Sequence, residues 1–269
     1  MKMKTLVLGS FTAIAAVMLF SVMGNEETKK LASSDQYKVI KVDGQIVFQK
    51  TNVDMKLGDV FMPGTPLDFK TAQSRAAVIS SLKGRFVLSA SEQGQTNILP
   101  AANNVSSRAG ALINLIDLQN HFSGKYLVIG EMRLQLGKEA FPMNESNFFY
   151  VTYMHNNESI RKKLSFDGDY LILNKEEIFK VDGKAIPVEE KEMTMFYRQG
   201  DESKKIGVFT PVFPELSSLK TEVEIIMAEY GDKDATTQIK EITAYLNEFY
   251  GNPQKDNLGE WLKTEFSLQ

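Results

Sequence analysis

The chain contains no cysteine. That absence excludes disulfides, thiolate-ligated metal, a cysteine nucleophile and a lipidated cysteine at an export junction, so the folded part must be held together by burial alone. Histidine is nearly as scarce. His121 and His155 stand apart from each other and from any His-Glu-x-x-His or His-x-His pattern, and one imidazole without carboxylates at matched spacing does not make a metal site. Both are expected on the surface or in loops. Neither sign of charge dominates, with Lys+Arg 31 against Asp+Glu 34, so no global field draws the chain onto nucleic acid or an anionic surface. A Gly-x-Ser-x-Gly elbow, a phosphate loop and a Gly-x-Gly-x-x-Gly turn are also missing, which leaves hydrolase and nucleotide-binding readings without support. No catalytic residue, cofactor or metal is expected, and the chain is not expected to be an enzyme.

What is present begins with a basic start, Met1-Lys-Met-Lys4, and an uncharged apolar stretch from Thr5 to Gly24. This is the pattern of an export signal cleaved after Gly24; left uncleaved, twenty uncharged residues would anchor the chain in a bilayer of ~30 Å. Either outcome places the body outside the cytoplasm, in a periplasm or envelope, with membrane contact only through 1–24. Residues 25–36 are polar and read as a spacer. From Tyr37 to Ser91 short apolar runs are closed by Gly, Pro or Asp, which predicts a small β-barrel or sandwich. Asp43-Gly44 reads as a two-residue hairpin turn between Val39–Val42 and Ile46–Phe48. Met62-Pro-Gly-Thr-Pro66 forbids a continuous strand, and Ala76–Ile79 and Phe86–Leu88 are expected to pair across Lys83-Gly84.

The order Gly44-x-Ile46, Leu57-Gly-Asp-Val60, Pro63-Gly64, Leu67, Ser74-x-Ala76, Val78 and Gly84 before an alternating strand resembles the FecR-type β-domain of bacterial envelope signalling regulators. The resemblance implies an extracytoplasmic β-module that contacts another envelope protein. Regulators of that family carry a cytoplasmic sigma-binding segment ahead of their membrane span, whereas Met1 to Lys4 alone precede the apolar stretch here. The implication is therefore confined to the external module.

Residues 92–123 read as a linker, poor in apolar side chains, with a short helix allowed by Leu112, Leu115 and Ile116. A second β-rich domain is expected over 124–214, with turns at Asp167-Gly168 and Asp182-Gly183. Lys-Val-Asp-Gly occurs at both Lys41–Gly44 and Lys180–Gly183. Over 215–269 the period turns helical: Leu219, Val223, Ile226 and Tyr230 define one helix, Ile239, Ile242, Leu246 and Phe249 a second, and Leu258, Trp261 and Leu262 a shorter third. The fold class is mainly β with a C-terminal helical hairpin and a third helix.

Two Ser-x-x-Lys strings, Ser80–Lys83 and Ser217–Lys220, lack the companion motifs of penicillin-binding enzymes and read as turn and helix start. Arg161-Lys-Lys163 is expected to protect a strand edge, since a phosphate or lipid-head site would need a broader patch. Phe148-Phe-Tyr150 with Tyr153 puts rings on both faces of one strand. The remaining rings, Tyr245, Phe249, Tyr250 and Trp261, are core residues or, where they are displayed, the interaction surface for another protein. The reading that results is a non-enzymatic extracytoplasmic binding or assembly component whose partner is another envelope protein and not nucleic acid; a module for glycans or wall fragments is the alternative.

Overall fold

A computed structural model describes residues 35–92, 95–101 and 112–268. The expected export segment, nearly all of the spacer and much of the expected linker lie outside these residues. The described part from Asp35 belongs to one compact unit. It is mainly β with helices gathered at its C-terminal end.

The first eight strands are β1 (Tyr37–Asp43), β2 (Ile46–Phe48), β3 (Val53–Asp54), β4 (Val60–Phe61), β5 (Leu67–Phe69), β6 (Arg75–Ser80), β7 (Gly84–Ala90) and β8 (Thr96–Pro100). They form two sheets, ordered β4-β1-β6-β7-β8 and β3-β2-β5. No closed barrel forms among the described residues: the two sheets face each other as an open sandwich around Val39, Ile46, Leu67, Ala76, Val78, Phe86 and Leu88. The β6–β7 hairpin forms as expected, with Ala76 opposite Leu88 and Ser80 opposite Gly84. The hairpin expected at Asp43-Gly44 does not form. β1 pairs with β4 and β6, whereas β2 pairs with β3 and β5, so this turn carries the chain from one sheet to the other. Gly44 takes φ +76°, and a Cβ there would lie 2.6 Å from the Ser74 hydroxyl. That hydroxyl accepts from the Gln45 amide at 3.2 Å, which fixes the corner. Thr96–Pro100, in the stretch assigned to a linker, adds the fifth strand to the first sheet.

The second half runs α1 (Leu115–His121), β9 (Gly124–Leu127), β10 (Met132–Gln135), β11 (Asn147–His155), β12 (Glu158–Lys163), β13 (Phe166–Asp167), β14 (Tyr170–Leu173), α2 (Lys175–Ile178), β15 (Lys180–Val181), β16 (Lys184–Ala185), β17 (Met193–Gln199), β18 (Glu202–Val212), α3 (Leu216–Glu229), α4 (Ala235–Phe249), β19 (Asn252–Pro253) and α5 (Lys255–Phe266). A six-stranded sheet, β12-β11-β17-β18-β9-β19, packs on the three-stranded β10-β14-β13. Their shared core is built from alternate residues, Phe149, Val151 and Tyr153 of β11 and Met193, Met195 and Tyr197 of β17, against Met132, Leu134, Leu171 and Leu173. Between β14 and β15 the chain makes a helical turn, because Asn174 caps α2 by accepting from the Glu176 amide.

The helices α3 to α5 cover the second face of the first sheet. Ile40, Ala77, Ile79 and Val87 pack there with Val223, Ile226, Ile242, Tyr245, Leu246 and Leu262, and Leu127 and Val212 join from the six-stranded sheet. This explains the unbroken apolar run of β6: Ala76 and Val78 face the sandwich, Ala77 and Ile79 the helices. A strand buried on both faces has no polar side to alternate with. α4 starts at Asp234, whose carboxylate accepts from the Thr237 amide at 3.0 Å, and ends at Gly251 with φ +100°.

Candidate functional site

The rings proposed from sequence as a displayed surface are turned inward. Tyr245, Phe249 and Tyr250 are buried and Trp261 is half-buried, and what they dock on is the chain's own first sheet. Helical spacing puts Tyr245 and Phe249 on the inner side of α4, and the turn after α4 adds Tyr250. Between them sits the buried carboxylate of Glu222, which accepts from the Tyr245 hydroxyl at 2.7 Å and the Tyr250 hydroxyl at 2.6 Å. Lys41 completes the cluster, 3.5 Å from Glu222 and donating to the Tyr250 hydroxyl at 2.9 Å.

Lys41 reaches this place because β1 is bulged. Val39 lies opposite Val78 and Lys41 opposite Ala77, with Ile40 as the extra residue. Ile40 and Lys41 therefore both face the helices, the re-aiming that a bulge permits. Burial, reinforced by the Glu222 charge, pushes the Tyr245 and Tyr250 hydroxyls well above the ordinary phenol range, so both stay protonated donors. Alongside, the guanidinium of Arg85, 1% exposed, pairs with Glu248, and Arg75 lies over the Phe249 ring at 4.4 Å. The Glu222 carboxylate is thus buried with two hydroxyl donors and an ammonium around it, the chemistry of a satisfied polar seam.

Neither Ser-x-x-Lys string forms a nucleophile pair. The Ser80 hydroxyl donates to Asp35 and accepts from the Leu82 and Lys83 amides at 3.2 Å, while the Lys83 ammonium turns to Asp35 at 2.6 Å. Ser217 donates to Glu215, and Lys220 pairs with Glu265 at 2.8 Å. Each lysine is thus held by a carboxylate as an ammonium and is no base for its serine. His121 corrects an expectation: it closes α1 half-buried, hydrogen-bonded to the Tyr126 hydroxyl, and desolvation lowers its pKa to about 4. Among the described residues no three His, Asp or Glu side chains gather where they could hold a metal ion.

One concave feature of the described surface lies on the first sandwich. A groove of about 570 Å³ runs between the β7–β8 side and the loop before β5, with Tyr37, Phe61, Pro66, Leu88 and Ile98 in its walls. Ile98 is 52% exposed. The flanking strand β8 is the outer strand of its sheet among the described residues. Its ladder phase is set by the Ser91 amide donating to the Gln95 carbonyl at 2.8 Å, and hydrogen-bonded pairs alternate from there. The Thr96 and Ile98 amides therefore point away from β7. Pro100, which has no N–H, falls at a position of the same phase, as an edge strand requires.

No family model matches this chain, and no curated protein matches it. The site is therefore defined by geometry alone: a groove of mixed polar and apolar lining, with Gln49, Thr65 and Gln95 beside the rings and aliphatics, and along it an outer strand with outward backbone donors and acceptors. Sequence reasoning missed it because its walls come from segments separated by turns. The signals that were present, Met62-Pro-Gly-Thr-Pro66 and the lone Pro100 after Ile98-Leu99, mark chain ends and not a cavity.

Proposed function

We propose that the chain is a non-enzymatic binding or assembly component acting outside the cytoplasm, and that it holds another envelope protein by adding an extended segment of that partner to β8. The observation that carries this reading is the edge of β8 beside a partly apolar groove. Main-chain hydrogen bonds to the Thr96 and Ile98 amides would supply affinity, and alternate side chains of the guest would enter the groove past Tyr37 and Phe61. The basic start and uncharged stretch of residues 1–24 support an extracytoplasmic setting, and the resemblance of 37–91 to the FecR-type β-domain supports an envelope partner.

The test is an affinity capture with the full chain from detergent-solubilised envelope, run beside Ile98→Pro. That substitution removes one outward amide and leaves the β7 ladder bonds in place. A partner retained by the native chain and lost at least tenfold from Ile98→Pro, with unchanged circular dichroism, is the expected result. Equal recovery by both proteins would sink the β-addition model, and mass measurement of the mature N-terminus checks the export step separately.

A further inference from the structure

A second binding face lies on the opposite half of the molecule. The inward residues of β11 and β17 build the core, so the intervening ones face out: Phe148, Tyr150 and Thr152 on β11, with Phe196 and Arg198 on β17. Register places Tyr150 beside Lys163 and Phe196, Thr152 beside Arg161, Phe148 beside Arg198, and Phe196 beside Lys205 of β18. Four cations from three strands thus share one face with three aromatic rings, on a chain whose formal net charge is −3. The Arg161-Lys-Lys163 run alone was too narrow for an anion site, and Lys162 turns away to donate to the Lys180 carbonyl. Sheet pairing supplies the missing breadth by bringing Arg198 and Lys205 to the same face.

Three of the four cations lie over rings. The Arg161 guanidinium lies 4.8 Å from the Tyr150 ring centre and the Lys163 ammonium 4.6 Å from that of Phe148, with Arg198 5.8 Å from Phe148 on the other side. Tyr150 and Phe196 stack in parallel, 5.0 Å apart. Rings beneath cations restrict their rotamers, so less conformational freedom is lost when an anion arrives. Lys163 pairs with Glu145 at 3.0 Å and Arg198 with Asp201 at 3.7 Å. Both acids are fully exposed at the rim, and exposed pairs of this kind are readily exchanged. Arg161 and Lys205 have no carboxylate partner among the described residues. Glu158 and Glu202 lie at the strand ends, outside the aromatic–cation plate.

The dimensions choose among anions. With about 4.8 Å between strands and about 7 Å between alternate residues along one, the four charges spread over a plate of roughly 14 by 14 Å. That is too wide for one small anion and suits a chain with repeated anionic groups. A single-stranded nucleic acid would need open ring faces on which its bases stack. Here those faces are occupied by the protein's own cations and by each other, so charge is offered without a stacking platform. We infer that the outer face of the β12-β11-β17-β18 sheet binds an acidic polysaccharide, its carboxylate, sulfate or phosphate groups received by Arg161, Lys163, Arg198 and Lys205. This face is separate from the groove beside β8, and its failure or success says nothing about that reading.

The experiment measures binding of the full chain to polygalacturonate and to heparin, with neutral dextran and poly(dT) as comparisons, at low and moderate salt. Both acidic polysaccharides should bind and dextran should not, and affinity should fall roughly 50- to 150-fold between about 50 and 200 mM salt if four ionic contacts are made. Arg161→Ala/Arg198→Ala should weaken binding at least tenfold at unchanged melting temperature. Arg161→Lys/Arg198→Lys, which keeps the charge and the fold, should retain most of it and guards against a folding artefact. Absence of binding at low salt, or equal binding by the alanine double variant, overturns the assignment. Tighter binding of poly(dT) than of either polysaccharide overturns it in favour of nucleic acid.

Discussion

Glu222 and His121 show two ways of burying an ionisable side chain. Glu222 has two phenolic donors and a nearby ammonium. Truncating it leaves Lys41 facing an apolar seam and two hydroxyls without their acceptor, so Glu222→Ala should cost about 3 kcal/mol, read as a lowered urea midpoint. Tyr250→Phe removes one donor and should cost about 1 kcal/mol. His121 is half-buried and neutral. Its folded pKa of about 4 lies below the ordinary 6.5, so the unfolded chain takes up the proton first as pH falls. Its contribution is constant above pH 6.5, turns unfavourable as pH drops below that value, and levels off near pH 4 after a loss of ~3 kcal/mol. Urea unfolding of native chain and His121→Gln at about pH 7.5 and pH 4.5 should show the variant losing less stability on acidification; parallel losses would refute the assignment. Neither role was legible beforehand. Nothing local distinguishes Glu222 from the other acids of α3, because its environment arrives from a strand 181 positions away, at Lys41. His121 was expected outside because scarce polar residues usually are.

At the level of elements, the tetrapeptide Lys-Val-Asp-Gly has two outcomes. At Lys180–Gly183 both Asp182 (φ +50°) and Gly183 (φ +78°) are left-handed, the geometry of a tight hairpin, and β15 pairs β16. At Lys41–Gly44 only the glycine is left-handed, and the Ser74 hydroxyl captures the next amide. Turn chemistry was readable from sequence; which strand the chain meets after the turn was not, since that depends on a partner about thirty residues on. α3 and α4 were readable because a three- and four-residue apolar period is written in neighbouring residues. β8 was not, because Thr96–Pro100 lies on an edge and shows little burial alternation. Gly251 marks where α4 meets β9, and a Cβ there would lie 2.4 Å from the Lys125 carbonyl oxygen. Since backbone cannot retreat as a side chain tip can, Gly251→Ala should cost more than about 2 kcal/mol and lower the melting temperature by several degrees.

Across the whole molecule, the helical layer serves both sheets: Ile40 and Ile79 from the first, Leu127 and Val212 from the six-stranded one, meet the same apolar surface of α3 to α5. Residues from Asp35 onward should therefore unfold in one calorimetric transition, and two resolved transitions would contradict that shared core. The two candidate surfaces were invisible in the sequence for one reason. Each is assembled by pairing across strands, so Arg161 and Arg198, or Phe61 and Ile98, become neighbours only once registers are set.

The double-sided burial of β6 also has a consequence in time. Arg85 and its partner Glu248 are 163 residues apart, and Lys41 and Tyr250 are 209 apart. The first sheet is among the earliest parts to leave the ribosome, yet one of its faces stays bare until the last helices have been made. Until then Ile40, Ala77, Ile79 and Val87 form an adhesive surface on an unfinished chain. A protein built this way cannot lock its first half early. It stays open until α3 to α5 have been made, a delay that fits the export proposed for this chain.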